Sequence, residues 1–313
     1  MQERKKHTAV VVDLGATNLR VALVDRKGKI SRKTTVRTIR KGPSGTIVTH
    51  QIIGQIKKIL LGYKGDLAGI GVSAAGRLDI KMGLVLNHNI GFRKIPIVRP
   101  IKSVFRRPVI LLNDANAAAL TEYTFGAGRK KKNLVYITIS SGIGGGVIVN
   151  DNLLLGRSGN AGEVGHWHVD STFGLLCSCK KGTGHWEGCA SGENIPRFFE
   201  AWCAKEKIIR KRFRMTSTMD IFSFAKKGNK TALEFLKVLG VINGRGISNV
   251  IAAYDPEVIV LGGSVVLQNQ KIILKNLLKN IDHYLTPLPQ ISVTKFGDDV
   301  SLVGASVAVF AKK

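Results

Sequence analysis

Apolar residues fall in short runs, separated by breaks rich in glycine and polar side chains. Thr8–Val12 is a continuous apolar run ending at Asp13; LGATN follows, and LRVALVD resumes the apolar pattern. Two extended runs joined by a glycine-containing bend predict a β-hairpin. Lys29–Arg37 predicts a third strand, Thr46–Leu61 carries apolar positions at the helical period, and Leu67–Ser73 predicts another strand. Strand, strand, strand, helix, strand is the order of a mixed sheet covered by helices. Pro108–Leu112 predicts a buried strand running into NDANAAALTEY, an alanine-rich helix start. Asn113 and Asp114 are therefore expected at the C-terminal end of a strand, where open α/β sheets meet ligands.

The pattern repeats in coarse form. Leu134–Ile139 predicts a strand, SSGIGGG a turn and Val147–Val149 a second strand, mirroring Val10–Asp13, GATN and Leu19–Val24. This echo predicts two α/β domains of related design with a cleft between them. From Asn194 the chain reads as helical until the strand Glu257–Leu261, which ends in Gly262, Gly263 and Ser264. Lys271–Leu285 predicts a helix, Gln290–Lys295 an edge strand, and Ser301–Lys312 a closing helix expected to pack back on the first domain. The expected boundaries are 1–118 for an N-terminal domain completed by 298–313, and 119–297 for a C-terminal domain carrying a metal-binding loop.

Composition narrows the class. With 44% apolar residues and 35 glycines, the 313 residues suit a globular protein with many tight turns. No segment approaches a transmembrane span, and no signal peptide is read before the first strand. Four cysteines, three of them close to two histidines, argue against a disulfide scaffold, so the expected compartment is the cytoplasm. The net charge of +27 favours polyanionic partners. Yet aromatics are only 6%, none interleaved with the basic runs at Arg106–Arg107, Arg129–Lys132 and Lys205–Arg214, and no nucleic-acid-binding signature accompanies them. The charge is therefore read as a solvent adaptation, without a specific nucleic-acid or membrane partner.

The densest chemistry lies between Glu163 and Glu187. His166, Cys177, Cys179 and His185 have the spacing of a structural metal site, and zinc accepts mixed thiolate and imidazole ligands in a closed tetrahedron. Glu163 and Glu187 bracket this segment on backbone that a metal would hold still. Cys189, two residues past Glu187, can compete with His185 for the metal; Cys203 reads as a small core residue. Two glycine-rich bends, Asp13 with Gly15, Ala16, Thr17 and Asn18, and Gly142 with Gly144, Gly145 and Gly146, offer backbone N–H groups to phosphate oxygens. Neither is a Walker A or dinucleotide motif. Asp13 at a strand end can organise Mg²⁺ through water. Asp114, in the apolar setting ILLNDANAAA, is the candidate general base; the bland alternative makes it the N-cap of the following helix. Asn87, Asn89, Asn113, Glu163 and Glu187 form a polar set suited to a neutral polyol.

Those residues resemble the ROK family (repressors, ORFs and sugar kinases), of the actin-like, hexokinase-type ATPase fold, and the resemblance spans nearly the whole chain. Asp13–Asn18 resembles the family's first phosphate loop, with Ala16 and Asn18 departing from a glycine and a lysine. Ser141–Gly146 resembles the second loop, with Ser141 in place of threonine, and Gly262–Gly263 the segment beside adenine and ribose. Asn113–Asp114 resembles the Asn-Asp pair whose aspartate is the catalytic base. Glu163-Val-Gly-His166 matches the ExGH motif that reaches the sugar while its histidine ligates zinc. His185 stands where a third cysteine is usual, giving a Cys₂His₂ site, a form similar to archaeal glucokinase- and hexokinase-like members. The resemblance implies ATP-dependent phosphorylation of a hexose, glucose first, with ATP, Mg²⁺ and structural Zn²⁺ as cofactors. Asn89, Asn113, Glu163, His166 and Glu187 would hold the sugar. Gly76–Arg77 resembles a pair near the acyl-sugar pocket of N-acylmannosamine kinases, which makes that activity the alternative, ahead of fructokinase. The seven residues before the first strand leave no room for the winged-helix domain of the family's repressors, so a DNA-binding regulator is not expected. The family commonly forms homodimers, and a homodimer is expected.

Overall fold

The computed structural model describes residues 7–87, 90–208, 215–282 and 287–311. Two compact units organise the chain: Met1–Lys131, Gly146–Ala161 and Asp298–Lys313 make the first, Lys132–Gly145 and Gly162–Gly297 the second. In chain order the elements begin with β1 (Thr8–Leu14), β2 (Asn18–Asp25), β3 (Ile30–Arg37), α1 (Thr46–Leu60) and β4 (Leu67–Ala74). Next come β5 (Arg77–Asp79), β6 (Leu84–Asn87), β7 (Phe92–Pro96), α2 (Val98–Phe105), β8 (Val109–Asn113) and α3 (Asp114–Phe125). They continue with β9 (Leu134–Ile139), β10 (Ile143–Val149), β11 (Asn152–Leu153), α4 (Trp186–Ala190), α5 (Ile195–Lys205) and α6 (Thr218–Lys226). The last are α7 (Lys230–Tyr254), β12 (Val258–Gly262), α8 (Ser264–Leu277), β13 (Gln290–Val293) and α9 (Val300–Ala311).

In the first unit the sheet order is β3-β2-β1-β4-β8, with β1 antiparallel to β2 and parallel to β4, and β4 parallel to β8. β1 is apolar throughout because both its faces are covered. Val10, Val12 and Leu14 meet Val48, Ile52, Ile56 and Ile59 of α1, whereas Ala9 and Val11 meet Leu302, Ala305 and Val309 of α9. The buried residues of α1 fall on one helical stripe, and truncating Ile52 to alanine there would cost about 2–5 kcal/mol. The closing helix thus belongs to the first unit's core.

The second five-stranded sheet runs β11-β10-β9-β12-β13. Position by position this is the order of the first sheet, with an antiparallel outer pair (β10, β11) and parallel neighbours (β9, β12, β13). The repeat in the hydrophobic pattern is thus a repeat of topology, and the fold is the mixed α/β, two-lobed actin-like ATPase class. Among the described residues no helix is long and apolar enough to cross a membrane.

Two expectations need correction, and one small sheet and one helix escape the sequence pattern. Gly144, Gly145 and Gly146 lie inside β10 and not in a turn. A Cβ on Gly145 would stand 2.8 Å from the Gly162 carbonyl oxygen, and one on Gly146 would collide with the Ala115 carbonyl, so these glycines serve close backbone packing. The helix expected from Lys271 begins at Ser264. Asn269 breaks its regularity (φ −136°, ψ 27°), its side-chain amide donating to the Val265 carbonyl at 3.0 Å, and the break shifts the apolar phase that the sequence displays. The antiparallel sheet β5-β6-β7 and helix α2 were not anticipated, because their runs are short and carry no clear period.

Candidate active site

In the first unit the β1–β2 hairpin places Asp13 at the end of a central strand, directly across from Arg20 in register. Asp13 Oδ1 accepts from Ser73 Oγ of β4 at 3.1 Å and from Ser301 Oγ of α9 at 3.0 Å, while Oδ2 faces Arg20 Nη1 at 3.4 Å. Arg20 is tethered in turn by the Asp298 carbonyl at 2.7 Å. Burial pushes the Asp13 carboxyl above its ordinary value, with Arg20 and the two serines pulling the other way. The bend after it is closed by Gly15 N–H donating to Asn18 O at 3.0 Å. Thr38 clamps it from outside, its hydroxyl donating to Gly15 O at 2.8 Å and its N–H to Thr17 O at 3.0 Å. Ala16 packs on the apolar core, and Thr17 is exposed. Arg20 is legible in the sequence once the hairpin register is counted back from the bend. Ser73 and Ser301 are not, since nothing local links them to Asp13.

At the junction of β8 and α3 the cap is Asn113: its Oδ1 accepts from the Ala115 and Asn116 N–H groups at 2.9 and 3.4 Å, and its Nδ2 donates to Gly76 O at 3.3 Å. The N-cap role therefore falls to Asn113 and not to Asp114, whose half-buried carboxylate sits in the first turn of α3, where the helix dipole favours negative charge. Gly76, at φ +88°, is brought beside Asn113, while Arg77 opens β5 with its side chain exposed. Asn89 lies outside the described residues, and Asn87 closes β6.

In the second unit the adjacent parallel strands β9 and β12 deliver two loops to the same sheet end. Ser140 N–H donates to Gly142 O at 2.9 Å in the first, Gly262 and Gly263 (φ +87°) form the second, and Ser140 and Ser264 hydroxyls meet at 3.0 Å. Ser141 O accepts from Glu193 N–H at 3.3 Å. Ser264 opens α8, so a helix N-terminus faces this end of the sheet, as an anion site requires. Glu187 Oε2 accepts from the Ile143 N–H at 3.0 Å, so the glycine loop takes its carboxylate from the distant segment.

That segment gathers the sulfur and imidazole ligands. The ligand atoms of His166, Cys177, Cys179 and His185 all lie within 4.8 Å of one another. Cys177 Sγ is 3.7 Å from His166 Nδ1, and Cys179 Sγ is 3.6 Å from His185 Nδ1. Zinc bonds of about 2.3 Å to sulfur and 2.0 Å to nitrogen in a tetrahedron span roughly 3.5–3.6 Å between such donors, so the four fit that ion. Nε2 of His166, turned away from the thiolates, stands 3.8 Å from Glu163 Oε2, the outer partner that ligating histidines commonly keep. Burial pushes the Cys177 thiol up to about 12, and a bound cation is what would draw it to thiolate. Burial raises the Glu163 carboxyl, His166 opposes the shift and Glu187 adds to it. Cys189 is buried on α4 outside the cluster, so the four clustered side chains are completed by His185 and not by Cys189, and Cys203 is buried in α5.

The ROK family model matches residues 9–312. A glucokinase from Pyrobaculum calidifontis is 35% identical over 301 residues, covering 96% of this chain and 94% of its own length. The ROK hexokinase of Thermus thermophilus shares the fold with a TM-score of 0.81 at 28% identity, covering 97% of this chain and 98% of its own. A ROK family glucokinase from Streptomyces griseus, solved with glucose and AMPPNP, aligns with a TM-score of 0.74 at 30% identity, covering 95% and 97%. With the family model and these relatives extending over nearly every residue, the chain belongs to the ROK family as a relative of its glucokinase-type sugar kinases.

Proposed function

We infer that this protein transfers the γ-phosphoryl group of ATP to a hydroxyl of a hexose, with glucose as the acceptor. The observation that carries the reading is the 3.0 Å bond from the Ile143 N–H to Glu187. It joins a glycine loop suited to phosphate to a segment whose carboxylates and imidazole suit a neutral sugar. Asp114 takes the proton of the attacking hydroxyl, and Asn113, Glu163, His166 and Glu187 hold the ring by its hydroxyls. Backbone N–H groups of the bends at Ala16–Asn18 and Ser141–Gly142 orient the phosphates, with Gly262–Gly263 at the nucleoside. Asp13 is the carboxylate that would hold Mg²⁺ through water; bound there, the ion neutralises charge on phosphoryl oxygens. His166, Cys177, Cys179 and His185 would hold a zinc ion whose contribution is structural, keeping Glu163 and Glu187 in place. The glucokinase names of the relatives support glucose over other hexoses.

The test is sugar-dependent ADP release across glucose, mannose, fructose, glucosamine, N-acetylglucosamine and N-acetylmannosamine. Glucose should give the highest kcat/KM. A clear preference for N-acetylmannosamine would reassign the acceptor and give the exposed Arg77 a role. Salt-sensitive DNA binding without any sugar-dependent ADP release would replace the enzyme by a regulator. A homodimer is part of the same proposal, and light scattering that returned the mass of one chain would remove it.

A further inference from the structure

β8 is the last strand of the first unit's sheet, and along its outer edge lies a cavity of about 1020 Å³. It touches none of the residues given a role in phosphoryl transfer. Val109, Ile110 and Val309 provide an apolar floor. The rim is cationic: Arg99 and Lys102 lie three apart on one face of α2, Arg106 is that helix's left-handed C-cap, and Arg107 follows. Among the described residues no carboxylate lines the cavity. Arg107 approaches Asp66 at 3.7 Å, whereas Arg99, Lys102 and Arg106 have no acidic partner among the described residues.

We propose that this cavity binds a multiply charged organic phosphate of nucleotide size. Two bland readings of the cations fall short. Basic residues protect a sheet edge from pairing, and basic residues near a helix C-terminus complement its dipole, which would account for Lys102 and Arg106. Arg99 sits in the first turn of α2, at the positive end of that dipole, where a cation is unfavourable. Gathering three unpaired cations around one concavity adds mutual repulsion, which an anion bound there relieves.

Size and floor select the kind of anion. A single inorganic phosphate would leave most of the cavity empty, and ligand sites of about 300–1,000 Å³ hold drug- or cofactor-sized molecules. The apolar floor offers a ring or chain something to cover, while the rim takes two or more negative charges. An added peptide strand fits poorly. Of β8 and the residue leading into it, Pro108, Val109 and Ile110 alone border the cavity, and proline offers no N–H, so the strand edge supplies too few backbone bonds for strand addition.

The test is calorimetric titration of the full chain with ADP at about 150 mM salt, where exposed charges are screened beyond roughly 8 Å. Wild type is compared with the Lys102→Glu/Arg106→Glu double variant. Both positions are exposed, so the variant should keep the wild-type Tm and its sugar-dependent turnover at saturating ATP. One ADP-binding event seen in wild type should be lost or weakened at least tenfold in the variant. Identical isotherms would overturn the proposal. Pyrophosphate binding to the same site as tightly as ADP would overturn the claim that the ligand carries an apolar body. The kinase reading is judged separately by sugar-dependent ADP release, so either conclusion can fail without the other.

Discussion

The bend after β1 and the bend after β9 occupy equivalent places in two sheets of the same strand order, yet they are completed in different ways. The first is self-sufficient: Asp13 is fixed by Ser73, Ser301 and Arg20 from its own unit. The second has no carboxylate of its own and takes Glu187 from the first turn of α4, more than forty residues away, where the helix follows a stretch held by two β-bridges and the short turn at Val164–His166. Cys177 Sγ lies 3.8 Å from the other oxygen of Glu187, which ties the carboxylate to the metal cluster. A repeated scaffold thus supplies one loop stabilised by core packing and one whose partner, on the proposed reading, is held in place by an ion. Damage to the core should disturb the first, and loss of the ion the second.

The largest effect expected lies outside both loops and sets the scale for them. Asp114→Asn should lower kcat by at least roughly a hundredfold, with nucleotide binding retained, as for loss of a positioned general base. Near-normal turnover in steady-state kinetics would remove Asp114 from that role.

Cys177→Ser or Cys179→Ser should come next. Elemental analysis should find about one zinc per chain in wild type and far less in either variant, and the KM for sugar should rise roughly tenfold or more, in line with the loss expected when an outer-sphere or ligand contact of a metal site is removed. Zinc-free protein with an unchanged KM would break the link between ion and carboxylates.

A smaller effect should follow Ser301→Ala, which removes one of the two hydroxyls on Asp13 Oδ1. A hydrogen bond to a charged group is worth about 1.5–3 kcal/mol, so a loss of roughly tenfold in kcat/KM for MgATP is expected with the KM for sugar unmoved. A change in the sugar KM instead would mean that the loops are not independent.

The smallest effect is on stability. Because burial raises the Asp13 carboxyl above its ordinary 3.8, ionising it costs more in the folded, ligand-free protein than in the unfolded chain, and stability falls as pH rises through the raised value. Asp13→Asn should therefore raise the Tm near pH 7, and the difference in Tm should vanish below about pH 4. A lower Tm for the variant at neutral pH would show that the Arg20 interaction outweighs burial.

Much of this was legible in the chain, for physical reasons that differ by element. β1, β4, β9 and β12 are covered on both faces and therefore read as unbroken apolar runs, and the matching breaks after them exposed the repeat. The His/Cys cluster is compressed into twenty residues, so spacing alone revealed it. The glycines of β10 were misread because composition cannot distinguish a glycine needed for a turn from one needed for close packing. The bland alternative for Asp114, the N-cap, falls instead to Asn113 one residue earlier; both are good caps, and only the backbone decides. Ser73 and Ser301 come to Asp13 from positions 60 and 288 residues away, and no local pattern encodes such a contact.

The account stands or falls on one comparison: glucose-dependent ADP release by zinc-loaded protein, by the same protein after chelation, and after zinc is restored. At subsaturating glucose, turnover should be present in the loaded protein, fall roughly tenfold or more on stripping as the KM for glucose rises, and recover on readdition. No ADP release with any sugar, or turnover indifferent to removal of the ion, would contradict it.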